Sequence, residues 1–276
     1  MIRDVLAARL AAMTASDATP DYQLLAREVL GISGASAELA RRLVEQALVV
    51  EDRRDHWRRI GERMREDAPR AAGVYVFRDA DNRALYVGKA ANLRRRLQAH
   101  FADRRWRTLH PAVARVARVD WQTTGSELEA LLREAMLIAE LRPAANVHTG
   151  EPAMRTRAVP ATLVRDVALL LPSLDPDAVD IVAARARGDV LLQRVDRSGT
   201  TLADDAALLW RFFRRASDRS ADELALAPLV FSWMAGRGRH VTRVDPHDAS
   251  SPVELAARFA TLFSDASLFV ERLIAM

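Results

Sequence analysis

The sequence predicts an α+β protein: a small module of three strands flanked by helices, preceded by a helical region and followed by a mixed α/β C-terminal region. Three observations predict it. Residues 1–68 carry apolar side chains at helical spacing. After Pro69 the pattern switches to short β-rich runs with a polar turn between them. From about residue 150, strand-like and helix-like runs mix without repeating. The chain of 276 residues suits roughly two or three domains. We divide it at 1–68, 69–149 and 150–276.

Taken in order, Leu6, Leu10 and Met13 share one face of a first helix. A second helix runs from about Asp21 to Leu30 and stops near Gly31. A third, from about Ala37 to Val49, places Leu39, Leu43, Val44 and Leu48 on one stripe. The charged stretch EDRRDHWRRIGERMRED follows, with Trp57, Ile60 and Met64 at helical spacing, as in a solvated helix anchored by one face. GVYVF and RALYVG then read as a hairpin around DADN, although Asp81-Asn82 lacks the favoured glycine. A helix is expected from Asn92 to Phe101, a helical segment from Pro111 to Val116, and a third strand in VDWQTT. The next helix spans Ser126 to about Leu141; Ser126 and Glu129 form an S-x-x-E capping box, and Pro143 follows its end. Beyond residue 150, LVRDVALLLP and VDIVAARARGDVLLQRV suggest strands and a short helix. DAALLWRFFRRA and PVELAARFATLFSDASLFVERLIAM read as helical, with the loop GRGRHVTRVDPHD ahead of the latter.

Composition narrows the function classes. Half the residues are hydrophobic and 28% are charged, enough apolar mass for packed cores. The absence of cysteine excludes a disulfide scaffold, a thiol nucleophile and a cysteine-ligated zinc site. No apolar run reaches the roughly 18 residues of a membrane span. The interrupted N-terminus MIRDVLAARLAAM reads as an amphipathic helix and not a signal peptide, so the expected location is cytoplasmic, with no membrane partner. A net charge of +4 and a pI of 10.2 fit a polyanionic partner, and equally fit a compositional preference for arginine. Against that background Lys89 is the sole lysine, tyrosine occurs at Tyr22, Tyr75 and Tyr86, and asparagine at Asn82, Asn92 and Asn146. Lysine where arginine is otherwise preferred matters, because a compact ammonium and a planar guanidinium are not interchangeable.

Five of these seven scarce residues, Tyr75, Asn82, Tyr86, Lys89 and Asn92, cluster around the hairpin and the start of the helix after it. Paired strands can bring Tyr75 and Tyr86 to one surface, where two phenols can bond a water nucleophile or a phosphate. A phenol near its ordinary pKa of about 10 is a poor base, and a nearby cation such as Lys89 or a metal ion lowers that value. Gly88 marks a close backbone approach or a positive φ. Asn92 reads as a helix N-cap. Arg96 and His100 share a helical face beside the apolar row Leu93, Leu97 and Phe101. A guanidinium at that core edge can bind phosphate oxygens bidentately. Arg94 and Arg95 are solvated arginines or non-specific backbone contacts. On the Ser126 helix the apolar stripe is Leu128, Leu131, Leu132, Ala135 and Ile138; Glu134 lies at its flank, directed toward the sheet edge.

The strings AGVYVF, LYVGKAANLRRRLQAHF and SELEALLREAMLIAELRPAANV, in this order and spacing, resemble the GIY-YIG nuclease superfamily. The pattern is most similar to the N-terminal nuclease module of UvrC and its stand-alone excision-repair relatives, and covers roughly residues 70–148. The resemblance implies a module with a mainly antiparallel three-stranded sheet, phosphodiester hydrolysis in DNA, and one divalent metal ion, Mg²⁺ or Mn²⁺, held by Glu134. It makes Tyr75, Tyr86, Lys89, Arg96, His100 and Glu134 the catalytic candidates, with Tyr86 favoured over Tyr75 for activating water. Gly88, Asn92, Arg94, Arg95 and Asn146 are the candidate substrate-binding positions. His100 replaces the tyrosine of many UvrC proteins, and other branches of the superfamily carry histidine there. Asn146 matches the terminal asparagine of the pattern, fixing a loop or a phosphate; a turn-stabilising role suits the same position.

The resemblance implies DNA repair or related processing, with other repair or replication proteins as further partners through the N- or C-terminal regions. The segment after residue 150 is too short for UvrC's interaction region together with a second nuclease domain, so a single incision is expected. The alternatives are a homing, restriction or structure-selective nuclease of the same superfamily, and an inactive module that binds nucleic acid. In the C-terminal region, Asp245, His247 and Asp248 read as a polar turn, and Trp210, Phe212, Phe213, Phe231 and Trp233 as core.

Overall fold

The structure is a computed structural model that describes residues 2–15, 19–102, 111–147, 159–215, 224–238 and 240–265. Helix α1 (Ile2–Ala15), α2 (Tyr22–Val29) and α3 (Ala37–Asp67) open the chain. Asp21 and Ser36 cap the second and third, each accepting a backbone N–H from the first turn. Leu6, Leu25, Ala26, Ala40 and Val44 form a small core, with Leu10 and Met13 packed on it. Leu39, expected on the buried stripe, is 47% exposed instead; the face centres on Ala40 and Val44.

The third predicted helix and the charged stretch after it are one helix of 31 residues. Its second half is anchored to the sheet module. Trp57, Ile60 and Met64 are buried in the same cluster as Tyr75, Phe77, Leu93 and Leu97. Trp57 Nε1 donates to Phe101 O at 2.9 Å, and His56 Nε2 is bonded to Val116 O at 2.9 Å. Tertiary burial thus carries a helix through sequence whose charge alone favours solvent.

The module is built from β1 (Gly73–Arg78), β2 (Ala84–Ala90), α4 (Leu93–Ala102), a 3₁₀ turn (Pro111–Arg115), β3 (Arg118–Thr123), α5 (Glu127–Leu141) and the short α6 (Ala144–Val147). The sheet is antiparallel in the order β2-β1-β3. The hairpin turn closes without glycine because Asn82 takes φ 66° and Asp79 Oδ1 accepts the amides of Asp81 and Arg83. Ser126 Oγ accepts Glu129 N at 3.1 Å. Glu129 reaches back to Gly125 N at 2.9 Å, so the capping box closes one residue upstream of the cap.

The C-terminal region contains β4 (Val167–Pro172), β5 (Ala178–Ala184), β6 (Val190–Asp196), α7 (Leu202–Arg214), α8 (Ala227–Gly236), β7 (Thr242–Val244) and α9 (Pro252–Ser264). Its sheet is antiparallel in the order β6-β5-β4-β7. Two expectations change here. Residues 185–189 form a turn between β5 and β6 and not a short helix. The loop before the last helix contains β7, which pairs with β4. The helical prediction over residues 266–276 lies outside the described residues.

One face of this second sheet packs on α7 and α9, the other on α8 and α5. Leu128 and Leu132 of α5 are buried with Val167, Leu169, Leu171, Val182 and Ala184. The apolar stripe of α5 therefore serves the second sheet, while its flank lies against β1 and β2. Phe213 and Phe231 are buried, and Trp210, Phe212 and Trp233 pack against the two cores. Asp245 Oδ1 accepts His247 N at 2.9 Å, closing a polar turn. No helix among the described residues is long and apolar enough to cross a membrane.

Candidate active site

The hairpin register sets the two phenols. Tyr75 pairs across to Gly88, and Phe77 to Tyr86. Tyr75 and Tyr86 consequently stand side by side, with ring centroids 6.1 Å apart. Gly88 makes this possible by close approach. A Cβ there would lie 2.5 Å from the Tyr75 hydroxyl and 2.9 Å from a Tyr86 ring carbon. Its φ is not positive, so the glycine serves space and not backbone conformation.

α4 supplies the next two groups from one face. Tyr75 Oη and His100 Nε2 are hydrogen-bonded at 2.6 Å, and both residues are buried. The Arg96 guanidinium stands beside both phenol oxygens. Burial pulls the Arg96 pKa down, but the two phenols outweigh it and hold the pKa above its ordinary value. Burial pushes both phenols up: Tyr75 is raised further by Tyr86, and Tyr86 by the Glu134 carboxylate, while Arg96 opposes the rise in each. Tyr75 is fully buried and Tyr86 half-buried, so Tyr86 is the phenol with access to a ligand.

α5 supplies the carboxylate. Glu134 Oε1 accepts the backbone N–H of Lys89 at 3.0 Å; its Oε2 takes no hydrogen bond from a described residue. Burial raises the Glu134 pKa against the opposing effect of Lys89, its charge and its amide. Lys89 itself is lowered by burial, with Glu134 resisting and Arg237 and Arg96 assisting. Its ammonium pairs with Glu127 Oε1 at 3.6 Å. The cation beside the phenols is therefore Arg96; Lys89 faces the acidic side of the site.

The remaining expected residues divide. Asn92 Oδ1 accepts Arg95 N at 3.0 Å, capping α4. Arg95 is exposed on the surface of α4. Arg94 points away from the phenols, its Nε and Nη2 donating to the carbonyls of Ala68 and Glu66 at 2.6 and 3.2 Å. It ties α4 to the end of α3. Asn146 brackets one residue of β2: its Oδ1 accepts Val87 N at 2.9 Å and its Nδ2 donates to Val87 O at 3.0 Å. Its carboxamide thus extends the edge of the sheet. Two residues that sequence reasoning missed stand next to Lys89: Glu127, at the start of α5, and Arg237, which pairs with the same Glu127 oxygen from beyond α8. A first-turn glutamate offers only a helix-dipole signal, and Arg237 offers none in the sequence.

One carboxylate with an oxygen unbonded among the described residues, two phenols and a guanidinium suit a phosphodiester substrate. Glu134 fits a hard divalent cation that completes its shell with water and phosphate oxygens. Among the described residues no cluster of three or more acidic, histidine or cysteine side chains offers a richer metal site.

A family model, the UvrC-like GIY-YIG domain, matches residues 71–147. Similar curated proteins include UvrABC system protein C of Methanothermobacter thermautotrophicus, 39% identical over 82 residues, which are 30% of this chain and 14% of that protein. The protein of the same name from Frankia casuarinae is 46% identical over 83 residues, 29% of this chain and 12% of that protein. The chain thus spans a small part of the length of the relatives it matches. A solved structure, the GIY-YIG N-terminal endonuclease domain of UvrC from Thermotoga maritima bound to magnesium, its catalytic divalent cation, is 29% identical. The match covers 31% of this chain and 98% of that one, with a TM-score of 0.28. Residues 71–147 of this chain are a UvrC-like GIY-YIG domain.

Proposed function

We propose that the protein is a metal-dependent DNA endonuclease that hydrolyses phosphodiester bonds in DNA repair or processing. The observation that carries this reading is the placement of Tyr75, bonded to His100, beside Tyr86 on the hairpin, with Glu134 of α5 held to the Lys89 amide on the same strand as Tyr86. In the reading, Glu134 would hold one Mg²⁺ or Mn²⁺ ion, which would supply Lewis-acid chemistry at the scissile phosphate and its leaving oxygen. Tyr86 orients the attacking water and, in its phenolate form, takes the water's proton to become the neutral phenol. Tyr75, bonded to His100, fixes the neighbouring phenol and passes its hydrogen bond into the core. Arg96 offsets the charge that develops on the phosphate oxygens. Lys89 contributes a cation on the acidic side and, through its backbone N–H, orients Glu134.

One site of this chemistry is assembled from the described residues, so the reading extends to a single incision per binding event. A cytoplasmic location and DNA as the principal partner belong to the same reading. The test is cleavage of plasmid, flap, fork, single-stranded and lesion-bearing DNA in Mg²⁺ or Mn²⁺. Cleavage by the wild type and none by folded Glu134→Gln and Arg96→Ala proteins is expected. No cleavage of any substrate, with salt-sensitive DNA binding retained, would replace the enzyme by a binding module.

A further inference from the structure

A charge network at the start of α5 crosses from the GIY-YIG domain to the second sheet. Glu127 Oε1 pairs with Lys89 Nζ at 3.6 Å and with the Arg237 guanidinium. Arg237 caps α8, its backbone N–H donating to Trp233 O, and Gly238 N donates to the same carbonyl at 2.8 Å. A Cβ on Gly238 would meet the Trp233 ring at 2.3 Å, so this turn closes tightly against the helix. α8 and α5 share one apolar cluster, which includes Leu128, Leu132, Val230 and Met234. The backbone of Arg237 is thereby held relative to Glu127. Its side chain is nevertheless 70% exposed, against 28% for Lys89. Its charge reaches Lys89, as does that of Arg96, so Lys89 stands within electrostatic reach of two other cations. A guanidinium has five donors, and its pairing with one carboxylate oxygen leaves others directed to solvent.

We propose that Arg237 binds a DNA backbone phosphate neighbouring the scissile one, and that Glu127 holds its guanidinium in position before DNA arrives. The inference rests on the nuclease reading above. It makes the C-terminal region part of the substrate surface, with the strand crossing the junction of α5 and α8. Arginine suits this task because its planar fork bonds phosphate oxygens in pairs.

The experiment uses the full chain and a short DNA duplex. Binding is measured without divalent metal over a range of salt, and cleavage in Mg²⁺. Arg237→Ala should weaken binding about tenfold and lower the slope of log Kd against log salt by about 1, the share of one phosphate contact. KM should rise while kcat stays within about twofold. Arg237→Lys should keep most of the slope. Arg258→Ala, on α9 across the other face of the second sheet, should change neither quantity. An Arg237→Ala protein with wild-type Kd and slope overturns the inference. So does an equal loss in Arg258→Ala, or a loss confined to kcat, which would assign Arg237 a positioning role through Lys89. A wild type that cleaves DNA while Arg237→Ala is unaffected sinks this inference alone. A wild type that neither binds nor cleaves sinks it together with the nuclease reading.

Discussion

A β-carbon on Gly88 would lie 2.5 Å from the hydroxyl oxygen of Tyr75, so the phenol fills the space that any other residue at 88 requires. Tyr75 is itself fully buried and bonded to His100, and has no room to withdraw. Gly88→Ala is therefore expected to displace the phenols. Overpacking of this kind costs about 1–3 kcal/mol, and cleavage should fall at least about 100-fold with the misplaced pair. Thermal denaturation and a plasmid nicking assay check both.

Glu134→Gln separates stability from activity. Burial raises the Glu134 pKa above its unfolded value, so its stability contribution is full below the unfolded pKa and is lost as pH rises through the folded one. At neutral pH the carboxylate is a cost that glutamine removes, while its amide oxygen can still accept the Lys89 N–H. Tm should therefore rise, which thermal denaturation of the two proteins checks. Cleavage in Mg²⁺ should fall by at least about 1000-fold. A destabilised and active variant would contradict the assignment of Glu134.

Arg96→Ala should reduce kcat by about 100- to 1000-fold, the usual cost of removing one donor to developing charge. Arg96→Lys should restore little, because an ammonium cannot bond both phenol oxygens and a phosphate in one plane. Single-turnover cleavage of a labelled duplex separates this from a binding defect.

The pH profile should be displaced toward alkali at both ends. Burial holds Glu134 above the usual carboxylate range, so activity should fall on acidification earlier than an ordinary glutamate would impose. The raised Tyr86 pKa leaves little phenolate at neutral pH. Cleavage should accordingly increase by up to about tenfold per pH unit into the alkaline range. Tyr86→Phe should abolish that alkaline rise; a flat profile in the wild type would remove Tyr86 as the proton acceptor.

Asn146→Ala should act on stability first. It leaves both the N–H and the C=O of Val87 without their bracket at the sheet edge. A loss of about 1–3 kcal/mol is expected by chemical denaturation. DNA affinity of the folded fraction should stay near wild type; a stable variant with weakened DNA binding would instead assign Asn146 the phosphate-binding role.

Much of the site was legible because its signals are local. The hairpin, the N-cap at Asn92, the shared face of Arg96 and His100 and the S-x-x-E box each depend on a few neighbouring residues; the first three form where expected, and the box closes on Gly125 N, one residue upstream. Glu134 was placed at the sheet edge by helical angle alone, and its hydrogen bond to Lys89 fits that placement. Arg94 was not legible: one position before Arg95, it differs only in meeting the carbonyls that end α3.

The sequence by itself determined the helices and strands and which candidate side chains they present, since spacing along an element fixes the face on which each residue lies. Only the tertiary structure decided what those faces meet. It joined the charged stretch to α3 by burying Trp57, Ile60 and Met64. It turned the apolar stripe of α5 onto the second sheet, and it set Arg237 against Glu127. Those outcomes rest on contacts between segments far apart in the chain. Periodicity marks a surface for burial but does not say which partner buries it.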